Sequence, residues 1–221
     1  GAWEQALLIK EYLGPAFEEN GIGTKIVIWD HNWDEYYYPL SVLGDADANP
    51  YIAGTAFHGY AGDVSSQSRV KEAYPDKDIY FTESSGGEWS TDFGSNLKWD
   101  LQNLIIGSTR HWAKTVLKWN LALDEQHRPY LGGCRDCRGI VTIDRQTGEV
   151  VLNEEYYAFG HASKFVKPGA FRIESASSGN DIETVAFVNP DDSLVLIALN
   201  VSEAMKEFQV SWRDQSFACS L

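Results

Sequence analysis

The amino-acid sequence predicts an α/β domain that is followed by an all-β segment. Up to about residue 160, β-rich runs alternate with stretches of helical periodicity, which is the pattern of βα units. These β-rich runs are continuously apolar, as expected for parallel strands covered on both faces. After Pro168 the chain changes to short strands separated by turns, which is typical of an antiparallel β-sandwich or small barrel. The predicted domains are therefore residues 1–160 and 161–221.

The first two βα units follow from periodicity and from helix stop signals. The stretch AWEQALLIKEYLG has apolar residues at helical spacing and predicts a helix that ends near Gly14 and Pro15. The β-rich run TKIVIWD then supplies the first strand, and YIAGTAFHGY supplies the second. The stretch SSQSRVKEAYP predicts a helix that opens on serine and closes before Pro75.

The remaining predicted elements are two more strands with a helix between them, a last helix, and then the strands of the all-β segment. DIYFTE is the third predicted strand and KTVLKWNLAL the fourth, with a long helical pattern, LKWDLQNLIIGSTRHWA, between them. A last helix begins in YYAFGHASKF. The predicted strands of the all-β segment are FRIESAS, IETVAFVNPDDS, LVLIALNVS and KEFQVSW, with a hairpin-type turn at residues 189–192.

Charge and hydropathy exclude several classes of function. The 221 residues are 43% hydrophobic, which is enough for a sizeable core. A net charge of −14 without a Lys/Arg cluster argues against nucleic acid or an anionic membrane as a partner. No apolar run is long enough for an integral membrane segment, and the first residues lack the features of a signal peptide. The excess of aromatic residues suits sugar stacking, although most of these rings are expected in the core.

The cysteines predict a braced loop and no cofactor site. Cys134 and Cys137 form a C-x-x-C in LGGCRDCRG, and Cys219 stands alone. A zinc site would need a second pair of ligands, and a thioredoxin-like pair would open a helix after a strand. A local disulfide is the favoured interpretation, with reduced structural thiols as the alternative. No metal and no cofactor are predicted, and the sequon at Asn200 is compatible with secretion.

Polar and aromatic residues follow the ends of all four predicted strands of the α/β domain. In a (β/α)₈ barrel, the carboxyl ends of the strands form the mouth of the active site. One polar strand end is weak evidence, because Asp and Asn often cap the next helix. Four in succession favour a functional site. These residues are Asp30 and His31, then His58 and Tyr60, then Glu83, and finally Trp119 and Asn120.

This set of side chains favours glycoside hydrolysis over phosphoryl transfer or metal chemistry. No Gly-rich phosphate loop is present, and His31 and His58 lie 27 residues apart without the spacing of metal ligands. The alternative interpretation of His58 is a buried histidine of the protein core without a role in catalysis. Retaining glycosidases use two carboxyl groups about 5–5.5 Å apart, one of which attacks the anomeric carbon. Glu83 is the candidate for the attacking group.

Four motifs carry a resemblance to a known family: GTAFHGY, YFTESSGGEW, VLKWNLALD and NEEYYAFGHASKFVKPGAFRIES. In this order they resemble glycoside hydrolase family 30, which contains glucosylceramidases and endo-β-1,6-glucanases. The resemblance implies the C-terminal half of a (β/α)₈ barrel, strands 5–8, followed by part of a β-sandwich. It implies a retaining mechanism with Glu83 as the catalytic nucleophile. The substrate-binding residues that it implies are His58, Tyr60, Trp119, Asp30 and Asn120.

The sequence departs from the family pattern at the general acid/base. In the family this group is a glutamate of an Asn-Glu-Pro motif after the fourth strand, and the 221 residues contain no such motif. The resemblance therefore implies that the acid/base lies upstream of Gly1, with the N-terminal half of the same enzyme as a missing partner. Glu35, Glu88 and Asp124 lie in predicted loops near the mouth, but none matches an acid/base motif.

Two functions remain open at this point. The chain is either a fragment of a retaining hydrolase of β-glucosidic bonds, inactive alone, or a non-catalytic sugar-binding or structural piece that needs a partner segment. The expected substrate is a carbohydrate or glycolipid, either β-1,6-glucan or glucosylceramide. Arg135 and Arg138 of the cysteine loop are expected near the mouth as a polar wall. Similar Gly-Gly-Cys loops in microbial members of the family favour a secreted microbial glucanase or glucosidase.

Overall fold

The structure is a computed structural model that describes residues 1–176, 179 and 181–221. Its α-helices are α1 (Ala2–Leu8), α2 (Gly14–Glu19), α3 (Tyr37–Leu43), α4 (Ser66–Ala73), α5 (Phe93–Trp99) and α6 (Glu154–Ser163). Two π-helical segments, Ile9–Leu13 and Asp100–Ser108, continue α1 and α5, and short 3₁₀ turns cover Trp33–Glu35 and Asn49–Tyr51. Among the helices of the described residues, none has the length and apolar character needed to cross a membrane.

The first domain contains one parallel sheet of four strands and several shorter strands outside it. In chain order the strands are β1 (Ile26–Asn32), β2 (Ile52–His58), β3 (Asp78–Glu83), β4 (Gly86–Gly87), β5 (Ala113–Val116), β6 (Ala122–Asp124), β7 (Cys137–Arg138), β8 (Val141–Ile143) and β9 (Val150–Leu152). The sheet order is β1-β2-β3-β5, and every neighbouring pair is parallel. Because parallel pairs need crossover connections, helical segments lie between successive strands. The predicted βα alternation is confirmed.

The bodies of the two middle strands are the most buried part of the sheet. β2 buries Phe57 and β3 buries Ile79 and Phe81. Helical residues pack on them, since Val42 of α3 and Leu104 of the second π-helical segment belong to the same core cluster. The continuous apolar runs in the sequence therefore reflect strands that are covered by other elements.

The first helix extends beyond its predicted end near Gly14 and Pro15. The helical path continues through the π-helical segment Ile9–Leu13 into α2, which ends at Glu19. Pro15 lies in the first turn of α2. Because a proline has no N–H group, it leaves a carbonyl of the preceding turn without its helical partner, and here it lies just after the π-helical segment passes into α2.

The predicted fourth strand, KTVLKWNLAL, is divided in the structure. β5 ends at Val116, and the Leu117 N–H donates to the Phe81 carbonyl at 3.0 Å. The Trp119 N–H then donates to the Ser84 carbonyl at 2.8 Å. The Trp119–Asn120 peptide bond is cis. These contacts bring Trp119 alongside the residue that follows β3.

The C-terminal segment is antiparallel, as predicted. Its strands are β10 (Phe171–Ile173), β11 (Ile182–Val188), β12 (Leu194–Asn200), β13 (Glu207–Trp212) and β14 (Gln215–Ser220). β10, β11 and β12 form one sheet, and β13 pairs with β14, a strand that the sequence did not predict. The turn at 189–192 is present, with the Asn189 N–H donating to the Ser193 carbonyl at 2.9 Å. The predicted run FRIESAS reaches residue 177, which lies outside the described residues, as do 178 and 180.

A second core cluster joins the α/β part to the antiparallel sheet. The Arg110 guanidinium also crosses this boundary and donates to the Thr184 carbonyl at 2.8 Å. The helix that precedes β5 thus packs on both parts of the chain. The buried members of the cluster are Leu101, Ile105, Ile106, Ala158, Val185, Phe187 and Ile197.

Candidate active site

Three neighbouring strands end at the same edge of the parallel sheet and bring polar side chains together. In the sheet register Asn32 pairs with His58, and His58 pairs with Glu83. β1 contains a register shift between Trp29 and His31, and Asp30 has φ 63°. Such a bulge changes the direction of a side chain, and here the Asp30 carboxylate contacts the His58 ring.

Glu83 lies at the end of β3 with its carboxylate partly open to solvent. Its side chain is 37% exposed. The Tyr60 hydroxyl donates to Oε1 at 3.1 Å, and Nδ1 of His58 lies 4.0 Å from the same oxygen. The backbone is also fixed, because the Gly59 N–H donates to the Glu83 carbonyl at 3.0 Å. One carboxylate oxygen therefore faces two polar neighbours.

Asp30 holds the ring of His58. Nε2 of His58 lies 3.1 Å from Oδ1 of Asp30, and the Thr82 hydroxyl donates to the same oxygen at 2.7 Å. A carboxylate only accepts hydrogen bonds, so the ring proton is assigned to Nε2. The Nδ1 atom is then the edge of the ring that faces Glu83. The His58 side chain is 11% exposed, and the ring of His31 packs on it with 5.9 Å between centroids.

Tyr60 connects Glu83 with the loop that follows it. Its hydroxyl lies 3.1 Å from Oε1 of Glu83 and 3.3 Å from Oγ of Ser85. Desolvation of the phenol, together with the negative charge of Glu83, raises the pKa of Tyr60 to about 12, although its hydrogen bond with Ser85 acts in the opposite direction. Tyr60 is therefore a neutral hydrogen-bond donor to Glu83 at all physiological pH values.

Trp119 and Asn120 are linked to this group through the backbone. The Trp119 N–H donates to the Ser84 carbonyl, next to Glu83, and the Asn120 carbonyl accepts from the Ile140 N–H at 2.8 Å. Within the described part of the chain, Oδ1 of Asn120 is buried and has no hydrogen-bond partner. The structure thus joins Asp30, His58 and Tyr60 to Glu83 by side-chain contacts, and it places the other two predicted residues beside Ser84 and Ile140.

The cysteine loop lies against the segment that follows Glu83. Cys134 and Cys137 form a disulfide, with 5.5 Å between their Cα atoms. β4 (Gly86–Gly87) pairs antiparallel with β7 (Cys137–Arg138), and Oγ of Ser85 lies 3.7 Å from Sγ of Cys137. The disulfide-bonded loop is therefore part of the wall beside Glu83.

Arg138 and Arg135, the two arginines expected near the mouth as a polar wall, are both held by partners within the chain. The Arg138 guanidinium, in a side chain that is only 12% exposed, forms ion pairs with Glu154 and with Glu155 at 2.9 Å. Two buried carboxylates therefore hold the Arg138 guanidinium in place. Arg135 packs over the ring of Tyr130, with 5.7 Å between its Cζ and the ring centroid. The pairing of Glu154 and Glu155 with Arg138 could not be predicted from the sequence, because two glutamates in the first turn of a helix are an ordinary helix-start signal.

A second buried ion pair supports the same region. Nζ of Lys118 lies 2.5 Å from Oδ1 and 2.6 Å from Oδ2 of Asp100, and the two side chains are only 3% and 4% exposed. Burial raises the pKa of Asp100, while Lys118 acts to lower it. A cavity of about 400 Å³ lies between this pair, Tyr60, Trp89 and Trp99. The signal for this pair was available, because Lys118 is a charged residue inside an apolar run.

Two of the three acidic residues expected near the mouth, Asp124 and Glu88, have other partners, and the third, Glu35, ends a 3₁₀ turn after β1. Oδ1 of Asp124 accepts backbone N–H groups of Gln126 and Arg128, which closes a turn. Oε1 of Glu88 lies 3.7 Å from Nε2 of His127. In the described residues, no group of three or more His, Cys, Asp and Glu side chains is arranged to hold a metal ion.

Two family models cover nearly the whole chain. The glycosyl hydrolase family 30 TIM-barrel domain matches residues 2–166, and the glycosyl hydrolase family 30 beta sandwich domain matches residues 169–221. The four-stranded parallel sheet lies in the first match and the strands β10–β14 lie in the second. The barrel and sandwich architecture implied by the motifs is confirmed.

Related proteins include both enzyme types of the resemblance. The chain is 34% identical over 208 residues to endo-1,6-beta-D-glucanase neg1 of Aspergillus fumigatus, which covers 90% of the chain and 40% of that protein. It is 28% identical over 229 residues to the lysosomal acid glucosylceramidase of Mus musculus, covering 95% and 42%. The solved structure of the endo-beta1,6-glucanase BT3312 superposes with a TM-score of 0.92 and 35% identity, covering 100% of the chain and 51% of that structure.

The family models, the related proteins and the solved structure all point to the same family, and each full-length relative extends well beyond the part matched by this chain. The chain spans less than half the length of the curated relatives it matches and about half of the solved structure. The recognition made from the four motifs is confirmed, because the two models together match residues 2–166 and 169–221. The chain belongs to glycosyl hydrolase family 30.

Proposed function

We propose that this chain supplies the nucleophile of a retaining glycoside hydrolase that cleaves β-glucosidic bonds, with β-1,6-glucan as its substrate. The observation that carries the proposal is the position of Glu83. It is partly exposed at the end of β3, with the Tyr60 hydroxyl 3.1 Å and Nδ1 of His58 4.0 Å from one carboxylate oxygen. Membership of the family supports this assignment.

The proposed chemistry has two displacement steps. The Glu83 carboxylate attacks the anomeric carbon and forms a glycosyl ester, while the glycosidic bond breaks and its oxygen takes a proton from the general acid. Water, deprotonated by the same acid/base group, then attacks the anomeric carbon and releases Glu83 as a free carboxylate. Tyr60 stays protonated throughout, because its pKa is raised to about 12. It orients the attacking oxygen by its hydrogen bond.

The proposed proton donor belongs to a further segment of the enzyme. Asp30 is a poor candidate, because its Oδ1 already accepts from Thr82 and contacts His58. Asp124 is engaged by backbone N–H groups of its own turn. The Asn-Glu-Pro motif expected from the family is absent from the 221 residues. We assign the acid/base to the N-terminal half of the barrel, so the chain alone is expected to be inactive.

The proposed sugar contacts combine polar groups with one aromatic wall. His58, Asp30 and Asn120 would hydrogen-bond the hydroxyl groups of the glucosyl unit. Trp119 would stack on the sugar face. β-1,6-glucan is preferred to glucosylceramide because identity is 35% with the solved glucanase structure and 34% with the fungal glucanase, against 33% with putative glucosylceramidase 2 of Caenorhabditis elegans and 28% with the mouse glucosylceramidase. An extracellular location and a domain boundary near residue 160 belong to the same proposal.

A comparison of substrates tests this function in the complete enzyme. The enzyme is incubated with β-1,6-glucan, β-1,3-glucan and glucosylceramide, and the first anomer released is followed by proton NMR. We expect rapid hydrolysis of β-1,6-glucan with the β-anomer formed first, since two inversions restore the configuration. The α-anomer as first product would contradict the retaining mechanism. Faster hydrolysis of glucosylceramide would overturn the substrate assignment.

A further inference from the structure

The segment that follows Glu83, residues 84–90, is fixed by other parts of the chain at nearly every step. We call it the nucleophile loop. The Trp119 N–H donates to the Ser84 carbonyl at 2.8 Å, and the Glu88 N–H donates to the Asp136 carbonyl at 2.9 Å. Between these points β4 pairs with β7 in an antiparallel ladder. The nucleophile loop is therefore held in place by backbone pairing with the cysteine loop, residues 134–138.

One side chain connects this ladder to the carboxylate. Oγ of Ser85 lies 3.7 Å from Sγ of Cys137 and 3.3 Å from the Tyr60 hydroxyl, which in turn donates to Glu83 at 3.1 Å. A displacement of the ladder would move Ser85, and Ser85 would no longer hold Tyr60 in its present place. The geometry of the Tyr60 to Glu83 hydrogen bond thus depends on the position of the cysteine loop.

The cysteine loop is anchored by Arg138. Its guanidinium pairs with Glu154 and with both oxygens of Glu155, at 2.9 and 3.4 Å for the latter. It also lies 3.5 Å from the carbonyl of Ser90, at the end of the nucleophile loop. Although burial acts to lower it, the hydrogen bond and charge of Glu155 raise the pKa of Arg138. The anchor is therefore a permanent cation between two buried carboxylates.

The nucleophile loop also packs directly on this anchor. A Cβ atom placed on Gly86 would lie 1.8 Å from Oε1 of Glu155 and 2.8 Å from Nη2 of Arg138. No side chain fits between the loop and the ion pair, so the backbone of β4 rests on the charged groups themselves. A shift of these groups is therefore transmitted to the loop without a flexible side chain in between.

We propose that Arg138 is a positioning residue for the nucleophile Glu83, and this inference rests on the proposed function. Through its ion pairs with Glu154 and Glu155, Arg138 fixes the ladder between β7 and β4. The ladder fixes Ser85, and Ser85 with Tyr60 fixes the attacking oxygen of Glu83. Arg138 itself makes no contact with Glu83, so its expected effect is on the rate of attack and not on the affinity for the sugar.

The test measures one attack at a time in the complete enzyme. The probe is a 2-deoxy-2-fluoro-β-glucoside with a good leaving group, which forms the glycosyl ester and hydrolyses slowly. The variant is Arg138→Met combined with Glu154→Gln and Glu155→Gln, so that no unpaired charge stays buried. We expect the limiting rate constant of labelling to fall about 10- to 100-fold, while the dissociation constant of the probe is unchanged. Labelling at the wild-type rate would overturn the proposal, and so would a loss confined to probe affinity.

Two further variants separate positioning from general loss of stability. Arg110→Met removes an arginine that ties the helix to the antiparallel sheet through Ser175 and Thr184, and should lower thermal stability while labelling stays at the wild-type rate. Cys134→Ser with Cys137→Ser keeps Arg138 and its carboxylates but releases the braced loop. We expect slower labelling in this double variant too, because the ladder that Arg138 anchors loses its brace. If the triple variant fails to fold, the single variant Arg138→Lys replaces it, and labelling at the wild-type rate in that variant would overturn the proposal.

The same experiment distinguishes this inference from the proposed function. If the unmodified enzyme is labelled on Glu83 and the Arg138 and cysteine variants are labelled equally fast, the function stands and the positioning role is wrong. If the unmodified enzyme is labelled on another carboxylate, the proposed function itself is wrong, and the positioning role fails with it. Restoration of part of the labelling rate by the conservative single variant Arg138→Lys supports the positioning role, because a lysine keeps the charge but loses the forked geometry.

Discussion

Two groups of titratable side chains contact the nucleophile loop, and they differ in burial and in how closely they are paired. The mouth group is Asp30, His58, Tyr60 and Glu83, and the support group is Asp100, Lys118, Arg138, Glu154 and Glu155. In the mouth group, Glu83 is 37% exposed and its contacts measure 3.1 and 4.0 Å. In the support group, Lys118 and Asp100 are almost fully buried and meet at 2.5 Å.

The difference shows how burial divides the tasks of charged residues. A buried charge is costly unless it is closely paired, and the support group is paired throughout. A charge that attacks a substrate has to keep part of its surface free, and Glu83, the proposed nucleophile, meets this condition. We therefore expect changes in the mouth group to reduce turnover at nearly constant stability. Changes in the support group should reduce stability first.

The largest expected effect is that of Glu83→Gln in the complete enzyme. The amide keeps the shape of the side chain but removes the charge that attacks the anomeric carbon, so kcat should fall by roughly 10⁴-fold or more. Thermal unfolding should show little change in the midpoint, because the carboxylate is partly exposed. Substantial residual hydrolysis of β-1,6-glucan by this variant would remove Glu83 from the mouth group as the nucleophile.

The second largest effect is expected for Asp100→Asn, and it is a loss of unfolding free energy instead of kcat. The change leaves the Lys118 ammonium buried without its counter-charge, which costs about 3–5 kcal/mol of unfolding free energy. Denaturant titration of the complete enzyme measures this loss. Adding Lys118→Met should recover most of it. The matched control is Lys167→Met, which removes the exposed ion pair with Asp191 and should leave the midpoint where it was.

The contrast between the groups also limits what the sequence could predict. Buried strands ending in polar residues predicted the position of Glu83, His58 and Tyr60 because parallel strands bring their carboxyl ends to one edge. The direction of Arg138 could not be predicted, since it depends on Glu154 and Glu155, which come from a helix 16 residues later in the chain. The end of β5 at Val116 could not be predicted either, because the Trp119 N–H bonds to the Ser84 carbonyl, which belongs to a distant part of the sequence.

A smaller effect is expected for Tyr60→Phe. It removes the hydrogen bond to the Glu83 carboxylate, so kcat should fall about 10- to 100-fold. Because the pKa of Tyr60 is raised to about 12, above its unfolded value near 10, any stabilising contribution of this group is complete below pH 10 and is lost between about pH 10 and 12. The ratio of wild-type to variant kcat should therefore be constant from pH 5 to 9. A ratio that changes within this range would show that another group controls Glu83.

The smallest effect is expected for Trp119→Ala. Removal of the stacking face should raise KM by about 3- to 10-fold and change kcat less. Steady-state kinetics on β-1,6-glucan measure both constants, with thermal unfolding as the control for folding. An unchanged KM with a lower melting temperature would show that Trp119 is a core residue and does not stack on the sugar.

The central claim is that Glu83 attacks the anomeric carbon, and covalent labelling tests it most directly. The complete enzyme is inactivated with a 2-deoxy-2-fluoro-β-glucoside, digested, and mapped by tandem mass spectrometry. The account predicts one added fluoroglucosyl group on the peptide that contains YFTESSGGEW, located on Glu83. A label on any other carboxylate, or hydrolysis of the probe with no covalent adduct at any time, would contradict it.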